Sequence, residues 1–152
     1  MDVADQEIAI NKCFGGFGLS YEAVMKYAEL KGIELYGYVN VRDDKGSMDF
    51  DKYELYDPEK DCKGWLCIHY SKKPLDTSKK ETQIKVLNEN YFSVSDISRD
   101  DPDLIKAIRA CGESANGNCA DISIVKIPAG VEWAIEEYDG QEWIAEKHRT
   151  WG

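Results

Sequence analysis

The residues best suited to chemistry lie near the N-terminus, in Lys12-Cys13-Phe14-Gly15-Gly16-Phe17-Gly18-Leu19-Ser20. Glycines carry no Cβ, so the main chain there can approach a ligand closely, and the N–H groups of a helix start favour an anion. Lys12 adds a positive charge, and Phe14 or Phe17 offers a face on which a base can stack. The predicted ligand-binding set is Lys12, Phe14, Gly15, Gly16, Phe17, Gly18 and Ser20, for a small anionic or nucleotide ligand. Two phosphate motifs are excluded by spacing. No Lys-Ser/Thr pair follows Gly18, and a GxGxxG count from Gly16 ends on Tyr21. The competing reading is a tight structural turn whose glycines take positive φ and whose phenylalanines fill the core.

A second candidate is Glu146-Lys147-His148-Arg149-Thr150-Trp151. Strand alternation would put Lys147, Arg149 and Trp151 on one face, where an arginine beside a tryptophan suits an anion or a stacked ring. Arg149 and Trp151 therefore join the predicted ligand-binding residues. The alternative is a solvated edge with Trp151 packed on the body.

A thiol enzyme built on Cys13, with His69 or His148 as base, has the right residue types but no local signature. No catalytic residue is assigned, and His69 reads as an interior or half-buried strand residue. The five cysteines include no CxxC pair, and the two histidines form no HxH or HExxH pair. No metal and no cofactor are therefore expected. Eight acidic residues between Arg42 and Lys63 (Asp43, Asp44, Asp49, Asp51, Glu54, Asp57, Glu59 and Asp61) could face a basic partner. Interleaved Arg42, Lys45, Lys52, Lys60 and Lys63 favour a solvated loop instead, and the order of the acids does not fit an EF-hand.

These residues must be positioned by local structure. Glu7–Asn11 reads as a strand, and Ser20 as the N-cap of a helix that buries Val24, Tyr27 and Ala28 and ends at Gly32. Ile33–Val41 reads as a second strand. The stretch from about 42 to 90 reads as loop-rich, with strands at Tyr53–Tyr56 and Trp65–Tyr70 and short ones at Ile84–Leu87 and Tyr91–Val94. Asp101 caps a helix with Pro102 at its first position, Leu104, Ile105, Ile108 and Cys111 on one face, and Gly112 at its close. Asp121–Ile127 is a strand. Trp133–Tyr138 and Gln141–Lys147 flank Asp139-Gly140, a strong two-residue hairpin signal. The expected fold is α+β, with a mostly antiparallel sheet and two main helices in a single domain.

Length and charge bound the function. The chain has 152 residues, 43% hydrophobic, with 19 Lys+Arg against 29 Asp+Glu and a net charge of −10. That length suits one domain with a real core, and the charge argues against binding a nucleic-acid polymer. No run approaches a membrane span. An N-terminus without a basic flank and an unpaired cysteine set together suggest a cytoplasmic protein.

Two stretches carry a resemblance. Ile8 to Ser20 (IAINKCFGGFGLS) and Trp133 to Trp151 (WAIEEYDGQEWIAEKHRTW) resemble the two ends of a family of small uncharacterised tailed-phage and prophage proteins. Asp101–Pro128 fits that family less closely, and about 40–90 is unmatched, so the resemblance covers about half the chain. It implies expression in the host cytoplasm of an infected bacterium. It also implies an accessory, anti-defence role, either sequestering a nucleotide signal or blocking a host protein. The expectation is therefore non-enzymatic ligand binding at Lys12–Ser20, in a homo-oligomer that brings Arg149 and Trp151 nearby. The alternative expectation is an acidic inhibitor of a host protein.

Overall fold

A computed structural model describes residues 5–14, 16–42, 45–58, 68–76, 78–117 and 120–147. The fold is α+β with antiparallel strand pairing. Its contacts group into two compact units, one from Met1–Leu30 with Ile97–Gly152 and the other from Lys31–Asp96.

The first unit is built on β1 (Gln6–Asn11), which pairs antiparallel with β6 (Ile122–Ile127) from Gln6↔Ile127 to Asn11↔Ile122. Ile8, Ala9 and Ile10 of β1 are buried. Helix α1 (Tyr21–Lys31) starts where expected, the Ser20 hydroxyl accepting the Ala23 N–H at 3.2 Å. Ala23, Val24, Tyr27 and Ala28 form its buried face, and Gly32 follows at φ 72°. Helix α3 (Pro102–Cys111) is capped by Asp101, whose carboxylate accepts the Asp103 N–H at 2.9 Å. It buries Leu104, Ile105, Ala107 and Ile108 and closes on Gly112 at φ 59°. The Tyr27 hydroxyl donates to the same Asp101 carboxylate at 3.0 Å, joining the buried face of α1 to the start of α3. The hairpin of β7 (Trp133–Tyr138) and β8 (Gln141–Glu146) turns at Asp139 (φ 49°) and Gly140 (φ 88°). Positive φ at both turn residues is what a two-residue loop of this twist demands.

The second unit is a four-stranded sheet in the order β3-β2-β4-β5, covered by helix α2. Its strands are β2 (Tyr36–Arg42), β3 (Met48–Leu55), β4 (His69–Ser71) and β5 (Tyr91–Phe92). Strand β3 is longer than the expected Tyr53–Tyr56. It is irregular opposite Asn40, whose side-chain amide donates to the carbonyls of Asp49, Phe50 and Lys52 and holds the bulge. Of the expected strand at Trp65–Tyr70, residues 65–67 lie outside the described residues.

The segment expected as a short strand at Ile84–Leu87 is instead inside α2 (Lys80–Asn90), a third helix. Its inward face carries Gln83, Val86 and Leu87, with a polar residue among the buried positions. The Asn90 side chain donates back to the Val86 carbonyl at 2.8 Å. Gln83 is 2% exposed. Its Oε1 accepts the Tyr53 N–H at 3.1 Å and its Nε2 donates to the Asp76 carbonyl at 3.2 Å, so both ends of a buried amide are satisfied. Tyr38, Leu75 and Leu87 form the core beneath, the Tyr38 hydroxyl accepting the Leu75 N–H at 2.7 Å. His69 is half-buried as expected. It packs edge-on against Tyr53 with ring centroids 5.6 Å apart, and burial pushes its pKa down.

The glycine-rich segment is stitched to the first unit at its far end. Leu19 bridges Asn116, the Gly117 N–H donates to the Gly18 carbonyl at 2.9 Å, and the Ser20 N–H donates to the Ala115 carbonyl at 2.9 Å. A Cβ on Gly117 would sit 2.7 Å from the Gly18 carbonyl carbon. Gly117→Ala is therefore expected to destabilise the fold by about 1–3 kcal/mol, the usual range for forced overpacking. Gly16→Ala adds a Cβ in open space, at φ 96°, and meets only backbone strain. Urea unfolding of the two variants checks this, with the larger loss of midpoint expected for Gly117→Ala.

Candidate functional site

The Lys12–Ser20 segment divides into an anchored part and an outward part. Anchoring begins at Asn11, the last residue of β1 and fully buried. Its side-chain Nδ2 donates to the Cys13 carbonyl at 2.6 Å and to the Gly140 carbonyl at 2.7 Å. Its Oδ1 accepts the Asp121 N–H at 2.8 Å. One amide thus joins the loop, the start of β6 and the hairpin turn. A buried amide in this position is costly unless every group finds a partner, which is the case here.

Next to it lies an ion pair. Arg99 grips Glu142 in a two-point contact, Nη1 to Oε1 at 2.7 Å and Nη2 to Oε2 at 3.0 Å, and Nη1 also reaches the Ala9 carbonyl at 3.2 Å. The Glu142 side chain is only 9% exposed, and its Oε1 accepts the Asn11 N–H at 2.8 Å. Phe17 closes the arrangement from outside, its ring centroid 3.6 Å from the Arg99 guanidinium carbon. Burial alone would raise the Glu142 pKa. The Arg99 guanidinium and the Asn11 N–H outweigh it, and the carboxyl is held below its ordinary value of 4.5.

These contacts locate the predicted residues. Phe17 stacks on an arginine of its own chain, the Ser20 hydroxyl caps α1, and the Gly18 carbonyl is tied to Gly117. Phe17, the Gly18 carbonyl and the Ser20 hydroxyl thus each make a contact within the chain. Gly16 and not Gly18 takes the positive φ, however, and Phe17 covers an arginine and is absent from the buried core. Lys12 uses its main-chain N–H on the Asp121 carbonyl at 2.8 Å but has an exposed side chain. Phe14 is 58% exposed. Gly16 adopts φ 96° with nothing within 4 Å of the position a Cβ would take. Lys12, Phe14 and Gly16 thus lie on the outward part. Gly15, Arg149 and Trp151 lie outside the described residues, as does His148.

Sequence reasoning missed Asn11, Arg99 and Glu142. No periodicity or motif marks them, because each acts through a partner far away in the chain. Cys13 has its sulfur 3.4 Å from Asn11 Oδ1, and His69 belongs to the other unit. Of the acidic tract, Asp49, Asp51 and Glu54 lie on β3 and Asp57 follows it, while 43, 44, 59 and 61 fall outside the described residues. Among the described residues no cluster of three or more metal-ligating side chains occurs. No described helix is long and apolar enough to cross a membrane.

A groove of about 320 Å³ lies away from the loop, between the start of β1 and α3, lined by Gln6, Glu7, Pro102, Ile105, Lys106 and Arg109 among others. Arg109 Nη1 donates to Glu7 Oε1 at 3.0 Å, and that hydrogen bond holds the Glu7 pKa down. Comparison of the chain with protein-family models, curated proteins and solved structures gave no significant match.

The Glu142 pair predicts a pH dependence. Because the native pKa is lowered, the unfolded chain takes up its proton first as the pH falls. The stability carried by the ionised pair is therefore complete above about pH 4.5, the ordinary value, and is lost as the pH drops through the native one. Arg99→Gln strands the carboxylate and should cost roughly 2–3 kcal/mol, less than a fully buried pair because the Arg99 side chain is 22% exposed. In Glu142→Gln the acid limb of a stability–pH profile should flatten, as read by urea midpoints from pH 3 to 7.

Proposed function

We propose that the protein is a non-enzymatic accessory protein that binds a small phosphorylated or nucleotide ligand at the outward part of the Lys12–Ser20 loop. The observation that carries this reading is the exposed Phe14 between an exposed Lys12 and the open, positive-φ Gly16. An aromatic face takes a base, an ammonium takes a phosphate, and an uncrowded glycine lets a ligand approach the main chain. The anchored half supports the reading as well, since a loop already fixed by Asn11 and the Arg99–Glu142 pair loses little entropy on binding.

Charge is compatible with one small anion. The whole chain carries −10, but residues 8–41 carry three Lys against three Glu and are balanced. The resemblance to phage and prophage proteins suggests the biological setting, namely removal of a nucleotide defence signal in a bacterial host cytoplasm. In this setting Arg149 and Trp151 would complete the site in a homo-oligomer.

Thermal-shift and calorimetric titration with cyclic nucleotides and ADP-ribose derivatives tests the reading. A true ligand at a hundred times its Kd should stabilise the fold by about 2.7 kcal/mol. Phe14→Ala should weaken binding at least about five-fold, the low end for a lost base–aromatic stack. Absence of stabilisation by every compound in a folded sample overturns the proposal.

A further inference from the structure

The β7–β8 hairpin has two faces of different character. One carries Trp133, Ile135, Glu142 and Ile144 and is spent internally. Trp133 Nε1 donates to Gln6 Oε1 at 3.2 Å, and Glu142 holds Arg99. The register places Glu136 opposite Trp143 and Tyr138 opposite Gln141 on the other face, with Ala134 opposite Ala145 at its base. Tyr138 is 71% exposed and Trp143 is 44% exposed. Trp143 Nε1 donates to Glu136 Oε2 at 3.0 Å, which ties the indole to the carboxylate.

This outer set repeats the chemistry of the buried triad. Inside, a carboxylate and an aromatic ring hold a guanidinium between them, with Glu142 and Phe17 around Arg99. Outside, Glu136 with Trp143 and Tyr138 offers the same two components. No Lys or Arg among the described residues pairs with Glu136. The hairpin around this face is acidic, with Glu132 and Asp139 exposed at its two ends and Glu137 and Glu146 exposed on the edge of the opposite face, against an exposed Lys147. A cation supplied by another molecule is the complementary partner. Arginine fits better than lysine, because its planar fork can lie on a ring while donating to a carboxylate.

We propose that the outer face of the β7–β8 hairpin is a docking surface for an arginine-bearing segment of a basic protein. The guanidinium stacks on Trp143 beside Tyr138 and donates to Glu136, and the neighbouring acids steer the basic chain to the face. This site is independent of the loop at Lys12–Phe14 and stands whether or not that loop binds a nucleotide.

Calorimetric titration of the full chain with a synthetic peptide of alternating arginine and glycine is the test, beside a lysine–glycine peptide of equal charge. The arginine peptide is expected to bind more tightly than the lysine peptide. Trp143→Ala should weaken it roughly 3- to 30-fold, the range of a cation–π contact. Tyr138→Ala, at a residue too exposed to carry the fold, should weaken it in the same direction, and Glu136→Gln should reduce the preference for arginine. Failure of the arginine peptide to bind, or equal binding by the Tyr138→Ala and wild-type chains, overturns the proposal. Equal affinity for the two peptides also overturns it, since that result reports net charge alone.

Discussion

The Arg99–Glu142 pair is the constraint on which the glycine-rich unit depends. Glu142 sits on β8 with a 9% exposed side chain, and a carboxylate so placed must find compensation or stay protonated. Arg99 supplies two donors, the Asn11 main chain a third, and Phe17 covers the guanidinium. Four segments of the unit therefore meet at one charge: the end of β1, the loop after it, the approach to α3 and the hairpin. The Asn11 side chain adds a second fixed point by joining Cys13, Gly140 and Asp121. Hydrophobic burial of Ile8, Ala9 and Ile10 brings these segments together without specifying their register. The directional contacts of Asn11 and Glu142 supply that register.

The same contacts explain why Phe17 and Phe14 differ despite their similar surroundings in the chain. Phe17 lies over a cation that would otherwise face water, and the ring gains both apolar contact and a cation–π attraction. Phe14 makes no such contact among the described residues and is 58% exposed. A glycine motif met in sequence suggests one role for the whole segment, but the structure divides it by which residues the ion pair recruits.

Legibility followed how local each cause is. Helix α3 was readable to the residue, because Asp101, Pro102 and Gly112 act within one turn of where they stand. The hairpin was readable for the same reason, through Asp139 and Gly140. Helix α2 was not, because its inner face carries a buried polar residue, Gln83, whose burial is justified only by partners elsewhere in the chain. Strand β3 was underestimated because its bulge is held by Asn40 from the neighbouring strand. The Arg99–Glu142 pair was invisible in the sequence, since either residue alone reads as an ordinary surface charge.

The candidate site shows the same division. Lys12, Phe14 and Gly16 were nominated from residue type, and the exposure of Lys12 and Phe14 with the open space at Gly16 leaves that nomination open to a ligand. The Ser20 hydroxyl, nominated on equal grounds, is used by the fold as the cap of α1. A side chain already satisfied within the chain has little left to offer a ligand, because breaking its contacts would cost what binding gains. Exposure alone is not enough either, since an exposed ring on a loose loop loses entropy when it orders. The loop combines exposed Lys12 and Phe14 with a rigid inner edge at Asn11, Phe17 and Gly18. The hairpin repeats that combination, with Glu142 fixed inside and Trp143 fixed outside by Glu136. Both surfaces thus set exposed groups on a base locked by charge, so neither would need to order its side chains from a loose loop to make a contact.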